Sequence, residues 1–332
     1  MAHAAGDGGG LSFFGWGTVR QGGGEPAPAA RIADEVVLLG DVVADLRTLI
    51  EQGPERWREL RAHAREAPSR IPVADCEPLL PIAPRDYVDF YASLEHATNV
   101  GRMFRPDSPL EPNWRHLPVG YHGRASGVVV SGTPVIRPQG QLGEGRFGPT
   151  EALDYECELG LVTDAEARIF GVVLLNDWSA RDIQAWEYRP LGPFLGKAFA
   201  TSISPWIVPW DDLPKAPPRP QDPAPLSYLA RARGEALDIE LEVVVNGEVL
   251  TRTNARHLYW TPSQLLAHTT SGGAPVTAGD LFGTGTISGA EPGSEGCLLE
   301  RFRGERWLED GDDVVLRSPI LGECAGRVTP RR

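Results

Sequence analysis

The amino-acid sequence predicts a mostly β fold with some helix, of the α+β class. Glycine and proline, with 38 and 30 of the 332 residues, are spread along the chain without a repeat. This distribution is typical of short strands joined by turns and long ordered loops. Several segments also alternate apolar and polar residues, which is the two-residue period of a strand. We expect a small N-terminal domain over residues 1–80 and a larger domain over residues 85–332.

The composition disfavours several classes of partner and location. A net charge of −13 argues against nucleic acid or an anionic membrane as the main partner. The sequence has no apolar run of about 18 residues, so we expect no transmembrane helix. Its first residues lack the basic and apolar regions of a signal peptide. The four cysteines are scattered and form no CxxC pair, which argues against a zinc or redox motif and favours a reducing cytoplasm.

The N-terminal elements follow from turn residues and periodicity. Residues 1–10 and 20–31 are rich in glycine and alanine, and we expect a flexible start and a loop there. Short β-branched runs follow, and then a helix is expected from near Asp41. Residues 53–67 have apolar residues at helical spacing and charges elsewhere, which predicts a surface helix. The three prolines within 76–86 exclude a continuous helix, so the domain boundary is expected there.

The second domain is predicted to contain strands, turns and a few helices. Residues 127–138 form a β-type run that is closed by Gly-Thr-Pro. Residues 169–188 begin as a buried strand and become helical after Asn176. Residues 209–225 are rich in proline and predict a surface loop, whereas 261–270 predict a short helix with proline in its first turn.

A β-hairpin is predicted over residues 237–255. Asp238, Glu240 and Glu242 alternate with apolar residues, and Asn246-Gly247 supplies the turn. An antiparallel hairpin with one face in water accounts for these acids.

A similar pattern occurs in "LDYECELGLV", residues 153–162. If the segment is one strand, Asp154, Glu156 and Glu158 lie on one face. By pattern alone, a solvated face is again the favoured interpretation. However, further acids occur at Asp89 and at Asp177, which ends an apolar strand, and strand ends often carry functional side chains.

A convergence of these acids would have a chemical consequence. Four carboxylates in a partly buried site cannot all stay ionised without compensation, so some protonate or cations bind. Carboxylates without a cysteine or histidine cluster suit Ca²⁺ or Mg²⁺ better than Zn²⁺. Arg181 and Lys197 could add positive charge. The hypothetical set is Asp89, Glu156, Glu158 and Asp177.

Four long segments closely resemble the fumarylacetoacetate hydrolase family, in its fumarylacetoacetase branch. The resemblance is strong over residues 85–330 and weaker over 11–80. The "DWSARD" motif is typical of the wider superfamily, whereas "PNWRHLPVGYHGRAS" points to this branch. The segments are "DFYASLEHATNVGRMFRP" (89–106), "PNWRHLPVGYHGRASGVVVSGTPVIRPQGQ" (112–141), "NDWSARDIQAWEYRPLGPFLGKAFATSISPW" (176–206) and "GTISGAEPGSEGCLLE" (285–300).

The resemblance implies roles for individual residues. The family's calcium ligands match Asp89, Glu156, Glu158 and Asp177. A nearby magnesium site matches Asp177, Lys197 and Thr201. The general base matches His96, although His116 and His122 are equally visible candidates by composition. The substrate contacts match Tyr91, Arg105, Gln184, Tyr188 and Thr286, and the remaining catalytic groups match Arg181 and Glu300. Asp154 matches no ligand.

These implied roles are chemically coherent. Cleavage of a diketo acid at a carbon–carbon bond requires water to attack a ketone and a carbanion to leave. A divalent cation can polarise the diketone, and a neutral imidazole at His96 can take the proton from water. Arg181, Gln184 and Lys197 could stabilise the developing negative charge, and Arg105 with the Tyr91 and Tyr188 hydroxyls suits a carboxylate terminus.

The resemblance therefore implies a homodimer with an SH3-like N-terminal domain and a catalytic domain of mixed β-sheets. The implied reaction is metal-dependent hydrolysis of 4-fumarylacetoacetate, in tyrosine and phenylalanine degradation. One alternative is hydrolysis or decarboxylation of another β-diketo acid, such as an acylpyruvate. Two others are a non-catalytic binding protein of the same family and a plain calcium-binding β-protein.

Overall fold

The computed structural model describes residues 13–331, which form a mixed α+β fold dominated by sheet. The predicted flexible start, residues 1–10, lies outside the described residues. The strands are β1 (Phe14–Gln21), β2 (Ala27–Ile32), β3 (Glu35–Leu38), β4 (Ile71–Pro72), β5 (Cys76–Pro78), β6 (Tyr87–Phe90), β7 (Gly120–His122), β8 (Val128–Val130), β9 (Val135–Ile136), β10 (Gln139–Gly143), β11 (Arg146–Pro149), β12 (Leu153–Asp154), β13 (Cys157–Thr163), β14 (Ile169–Asp177), β15 (Ser179–Ala180), β16 (Thr201–Ile203), β17 (Val208–Pro209), β18 (Lys215–Ala216), β19 (Ala236–Leu237), β20 (Glu240–Val245), β21 (Glu248–Asn254), β22 (Leu281–Gly283), β23 (Asp313–Ser318) and β24 (Gly322–Thr329). The helices are α1 (Leu46–Glu51), α2 (Gly53–Glu66), α3 (Leu94–Phe104), α4 (Arg181–Glu187), α5 (Ser227–Arg231), α6 (Pro262–Thr270) and α7 (Leu298–Phe302).

The N-terminal strands form an antiparallel sheet in the order β4-β3-β2-β1-β5. Two expectations for this region were wrong. Residues 20–31 are not a loop throughout, because β2 pairs with β1 and buries Ala29 and Ala30. The helix begins at Leu46 rather than near Asp41, because the Asp45 side chain accepts the Thr48 N–H at 2.7 Å and caps it. The surface helix at 53–67 is confirmed as α2.

The largest sheet is mixed and has the order β7-β6-β22-β13-β14-β16-β8, with β17 also paired to β14. Along β14 the side chains alternate between two cores. Val172 and Leu174 pack against the core shared with the β21-β20-β23-β24-β9 sheet, whereas Val173 and Leu175 pack against the N-terminal elements. Burial on both faces explains the continuous apolar run of this strand.

Two further predicted elements after residue 85 are confirmed, whereas the helix expected after Asn176 begins only at Arg181, because β14 runs to Asp177 and β15 follows it. The hairpin at 237–255 is present as β20 and β21, with positive φ at Asn246 (51°) and Gly247 (83°). Its acids are exposed or half-buried, as the solvated-face interpretation requires. Helix α6 begins with a capping box at Thr261. Within residues 13–331, no helix is long and apolar enough to cross a membrane.

Candidate active site

Four buried carboxylates converge in the described structure. Each offers one oxygen, and these oxygens lie within 4.8 Å of one another. The hydrophobic strands around them exclude water, so the negative charges are concentrated in a poorly solvated place. We refer to this set as the carboxylate cluster, and it consists of Asp89, Glu156, Glu158 and Asp177.

The order of strands in the large sheet places three of these acids. Asp89 lies on β6, Glu158 on β13 and Asp177 at the end of β14. Between β6 and β13 runs β22, where Gly283 stands opposite Asp89. A Cβ at Gly283 would lie 3.0 Å from Glu158 Oε2 and would also meet Asp89. The missing side chain of this glycine therefore leaves room for the two carboxylates.

The segment 153–162 does not form a single strand. β12 ends at Asp154 and pairs with β15, whereas β13 begins at Cys157 and pairs with β14. Glu156 lies between the two strands, and its N–H donates to Asn176 Oδ1 at 3.1 Å. The break separates the three acids: Glu156 and Glu158 join the cluster, but Asp154 contacts Arg181 instead.

Neutral and cationic donors surround part of the cluster. Lys197 Nζ lies 2.8 Å from Asp177 Oδ2 and also binds Glu156. Thr201 Oγ1 donates to Asp177 Oδ1 at 3.0 Å. The Tyr121 hydroxyl lies 2.8 Å from Asp177 Oδ2 and 3.1 Å from an oxygen of Asp89. Sequence reasoning missed Tyr121, although it stands in the "YHGRAS" segment that carried the resemblance.

Two carboxylate oxygens remain without a donor. Among the described residues, Asp89 Oδ1 and Glu158 Oε1 are buried and have no hydrogen-bond partner. Burial raises the pKa of both groups well above its ordinary value, and the neighbouring carboxylates, Asp177 beside Asp89 and Asp89 beside Glu158, raise it further. Buried carboxylate oxygens that lack a hydrogen-bond donor fit a hard divalent cation, because such a cation prefers oxygen ligands.

Glu156 and its cationic partners behave in the opposite way. Burial alone would raise the pKa of Glu156, but Lys197 and Arg181 together hold it well below the ordinary value. Burial alone would lower the pKa of Lys197, but the carboxylates of Asp177 and Glu156 raise this pKa above its ordinary value. Glu156, Lys197 and Arg181 therefore stay charged together at neutral pH. Lys197 supplies a permanent positive charge beside the carboxylate cluster.

A second polar group lies on α3 and α7. His96 stands in the first turn of α3, where Ser93 accepts its N–H at 3.3 Å. His96 Nδ1 lies 2.5 Å from Glu300 Oε2, and both side chains are buried. Glu300 also accepts hydrogen bonds from Asn99 at 3.0 Å and Ser288 at 2.7 Å.

These contacts set the charge of Glu300. Burial opposes ionisation, but the His96 ring and the donated hydrogen bonds lower the pKa of Glu300 below its ordinary value. Sequence reasoning did not find Asn99 and Ser288, which carry no charge. The two other candidate histidines, His116 and His122, are exposed.

Two of the predicted substrate contacts, Tyr91 and Gln184, lie close to these groups, and a third, Thr286, is buried. The Tyr91 ring lies 5.1 Å from the His96 ring, edge to face. Gln184 Oε1 lies 3.5 Å from Arg181 Nη1, and Arg181 Nη1 in turn lies 2.7 Å from Glu156 Oε1. Thr286 is buried, and its hydroxyl has no hydrogen-bond partner within residues 13–331.

The other two predicted substrate contacts have partners of their own in the described structure. Arg105 follows the end of α3 and contacts Pro109 O at 3.1 Å and Glu111 at 3.3 Å. Tyr188 follows the end of α4, and its ring contacts the Arg189 guanidinium. Both side chains are half-buried, and their described contacts include neither the carboxylate cluster nor the His96–Glu300 pair.

Comparisons with known proteins agree on one family. Residues 86–329 match the family model described as "Fumarylacetoacetate (FAA) hydrolase C-terminal". The chain is 43% identical to the fumarylacetoacetase of Oryza sativa subsp. japonica, over 86% of this chain and 81% of that protein. It is 42% identical to the Rattus norvegicus fumarylacetoacetase, over 86% and 83%. Against the Homo sapiens fumarylacetoacetase the identity is 45%, over 76% and 71%.

Solved structures share the fold at low sequence identity. A fumarylacetoacetate hydrolase from Exiguobacterium antarcticum aligns with a TM-score of 0.66 and 21% identity, covering 96% of this chain and all of that one (100%). A maleylpyruvate hydrolase from Sphingobium aligns with a TM-score of 0.62 and 18% identity, with the same coverage. These likenesses confirm a mixed, mostly β architecture.

Proposed function

The chain belongs to the fumarylacetoacetate hydrolase family, and we propose that it hydrolyses 4-fumarylacetoacetate to fumarate and acetoacetate. The enzyme would thus be a hydrolase of carbon–carbon bonds in ketonic substances, serving tyrosine and phenylalanine degradation. The observation that carries the proposal is the presence of both a buried His96–Glu300 pair and a buried carboxylate cluster. Identity of 42–45% to three fumarylacetoacetases over most of the chain supports this choice of substrate.

The proposed cofactor is Ca²⁺, Mg²⁺ or both. Asp89, Glu156, Glu158 and Asp177 would hold Ca²⁺, and Lys197 and Thr201 would adjoin a Mg²⁺ site at Asp177. When bound, the cation would polarise the oxygens of the diketone and favour the enolate that leaves. The two unpartnered oxygens of Asp89 and Glu158 support this assignment.

His96 is proposed as the general base. Glu300 occupies the Nδ1 side of the ring, so the proton is held there and Nε2 is left to accept a proton from water. A buried, ionised Glu300 also stabilises the imidazolium that forms, because opposite charges attract strongly where water is excluded. Removing the proton as water attacks the ketone makes the oxygen a better nucleophile.

Fixed positive groups would stabilise the negative charge that develops. Arg181 and Lys197 are held in place by ion pairs, so little reorganisation is needed during the reaction. Gln184 beside Arg181 would donate a further hydrogen bond. The remaining substrate contacts are proposed at Tyr91, Arg105, Tyr188 and Thr286, with Arg105 and the tyrosine hydroxyls on the carboxylate terminus.

We also propose a cytoplasmic homodimer. Support comes from apolar side chains that are exposed in the chain on and after α4, near the site: Trp186 (50% exposed), Leu191 (95%), Phe194 (67%) and Leu195 (47%). Apolar groups concentrated in this way are typical of protein interfaces. We define them as the α4 patch.

The domain division is part of the same proposal. We assign residues 1–80 to an SH3-like N-terminal domain and residues 85–332 to the catalytic domain. The antiparallel sheet β4-β3-β2-β1-β5, with strands between residues 14 and 78, supports this division.

Product analysis tests the proposed reaction. Purified protein with Ca²⁺ or Mg²⁺ is incubated with 4-fumarylacetoacetate and, separately, with an acylpyruvate. Equimolar fumarate and acetoacetate from the first substrate, at the higher kcat/KM, support the proposal. A higher kcat/KM for the acylpyruvate would instead favour the other β-diketo acid reaction. Cation binding without turnover of either substrate would favour a binding protein.

A further inference from the structure

Asp154 is a fully buried acid outside the carboxylate cluster. Its Oδ1 accepts the N–H groups of Tyr155 and Leu298, each at 2.8 Å. Its Oδ2 accepts the Leu299 N–H at 3.1 Å and Arg181 Nε at 2.9 Å, and Arg181 Nη2 lies at 2.8 Å. A carboxylate has about four acceptor positions. Asp154 therefore has no free oxygen for a cation, unlike Asp89 and Glu158.

The donors to Asp154 belong to the two parts of the proposed machinery. Leu298 and Leu299 open the short helix α7, which carries Glu300 in its first turn. Arg181 opens α4 and presents its other nitrogen, Nη1, to Glu156 at 2.7 Å. The buried carboxylate of Asp154 thus connects α7, which bears Glu300, to the guanidinium of Arg181, which pairs with Glu156 in the carboxylate cluster.

We propose that Asp154 is a positioning residue for both groups. It fixes the start of α7 so that Glu300 meets His96 Nδ1, and it fixes one edge of the Arg181 guanidinium so that the other edge faces Glu156. Arginine suits this bridge because its planar fork binds two carboxylates in a defined geometry. The inference rests on the proposed function, since it assigns to Asp154 the positioning of two residues of the same site, Glu300 and Arg181.

Asp154→Asn is the direct test. The amide keeps the shape but loses the charge, and its NH₂ group faces N–H donors, so either α7 or Arg181 loses its partner. A misplacement of about 1 Å costs about 100-fold in rate, so we expect kcat to fall about 100-fold. Because the variant acts through Glu300 and Arg181, the loss should lie mainly in kcat rather than in KM.

Asp164→Asn is the matched control. Asp164 is also buried, accepts the N–H groups of Glu166 and Arg168, and pairs with Arg168. Asp164 follows the end of β13 that lies farther from Glu156. At about 3.3 Å per residue of strand, the two residues are about 25 Å apart along the strand. This variant should lower the melting temperature to a similar extent but leave kcat within about twofold.

A second readout does not depend on the substrate. The proton between His96 Nδ1 and Glu300 should give a far-downfield ¹H resonance, which is assigned by its loss in His96→Gln. Asp154→Asn should shift or broaden this resonance, whereas Asp164→Asn should leave it in place. If the wild type fails to hydrolyse 4-fumarylacetoacetate, the proposed function fails, but this readout still decides the role of Asp154.

A double-mutant cycle separates positioning from general support. In a Glu300→Gln background, the further effect of Asp154→Asn on kcat should shrink below about tenfold, because the carboxylate it orients is already absent. If Asp154→Asn does not fold, Asp154→Glu is compared with Asp164→Glu by the same measurements. Wild-type kcat with an unchanged resonance in the Asp154 variant, or fully multiplicative effects in the cycle, would overturn the proposal.

Discussion

His96 Nδ1 and Glu300 Oε2 lie 2.5 Å apart although the residues are separated by 204 positions in the chain. The pair exists because α3 and α7 meet beside the large sheet, each contributing one polar side chain from its first turn. Burial keeps competing water away from the pair, and Asn99 and Ser288 fix the carboxylate. This geometry allows the histidine and the glutamate to act as one unit.

Replacing the base should abolish most of the activity. We expect His96→Ala to lower kcat about 10²- to 10⁴-fold, which is the usual contribution of a general base. His122→Ala, which removes an exposed histidine of the same sequence region, is the control and should retain wild-type kcat. Steady-state kinetics at saturating cation measure both. Wild-type turnover by the His96 variant would rule out this base.

Removing one cluster acid should have opposite effects with and without cation. Glu158→Gln removes an acid whose ionisation is opposed by burial and by Asp89, so the cation-free protein should gain about 1 kcal/mol of unfolding free energy. The same variant loses a ligand and should bind Ca²⁺ at least about tenfold more weakly. Chemical denaturation and calorimetric titration test the two effects, with the exposed Glu240→Gln as control. Unchanged Ca²⁺ affinity in Glu158→Gln would contradict a role as ligand.

The low pKa of Glu300 predicts a pH dependence of stability. Burial opposes ionisation, but the His96 ring and its hydrogen bonds bring the folded-state pKa below the unfolded value of about 4.3. Glu300 therefore stabilises the fold above that pH, and the contribution is lost as the pH falls through the folded pKa. Between about pH 6 and pH 3, Glu300→Gln should lose less stability than the wild type. Denaturant unfolding across this range would show parallel curves if the prediction is wrong.

Charge placed in the α4 patch should weaken the proposed dimer. Phe194→Asp adds a desolvation penalty at an interface position and should raise the dimer dissociation constant at least about tenfold. Leu226→Asp changes a similarly exposed side chain (70%) outside the patch and should leave association unchanged. Sedimentation equilibrium over a dilution series measures both variants. Equal association of the two would place the interface elsewhere.

Local patterns predicted much of the fold. The hairpin turn at Asn246-Gly247 and the cap of α6 depend on neighbouring residues, so the sequence reveals them directly. The start of α1 was misplaced because Asp41 and Asp45 are both acceptable caps, and only Asp45 receives the Thr48 N–H. The alternation of residues at 153–162 does not reveal that the segment holds two strands, because β12 and β13 pair with different partners.

Family resemblance predicted most of the site, including the neutral Thr201, whose hydroxyl donates to Asp177. Family resemblance selected His96 and the four acids, and the structure brings the acids together. Tyr121 was missed because its role depends on β7 lying beside β6, a pairing set by the whole sheet. Asp154 was set aside because it matched no ligand, whereas its importance lies in contacts with residues near 181 and 298.

The proposed reaction can be followed directly by the loss of diketone ultraviolet absorbance when the purified protein meets 4-fumarylacetoacetate. The assay is run with Ca²⁺ or Mg²⁺, after chelation, and with His96→Ala. We expect fast loss that depends on the cation and disappears in the variant. Persistent absorbance with folded, cation-loaded wild-type protein would contradict the assignment of 4-fumarylacetoacetate as the substrate.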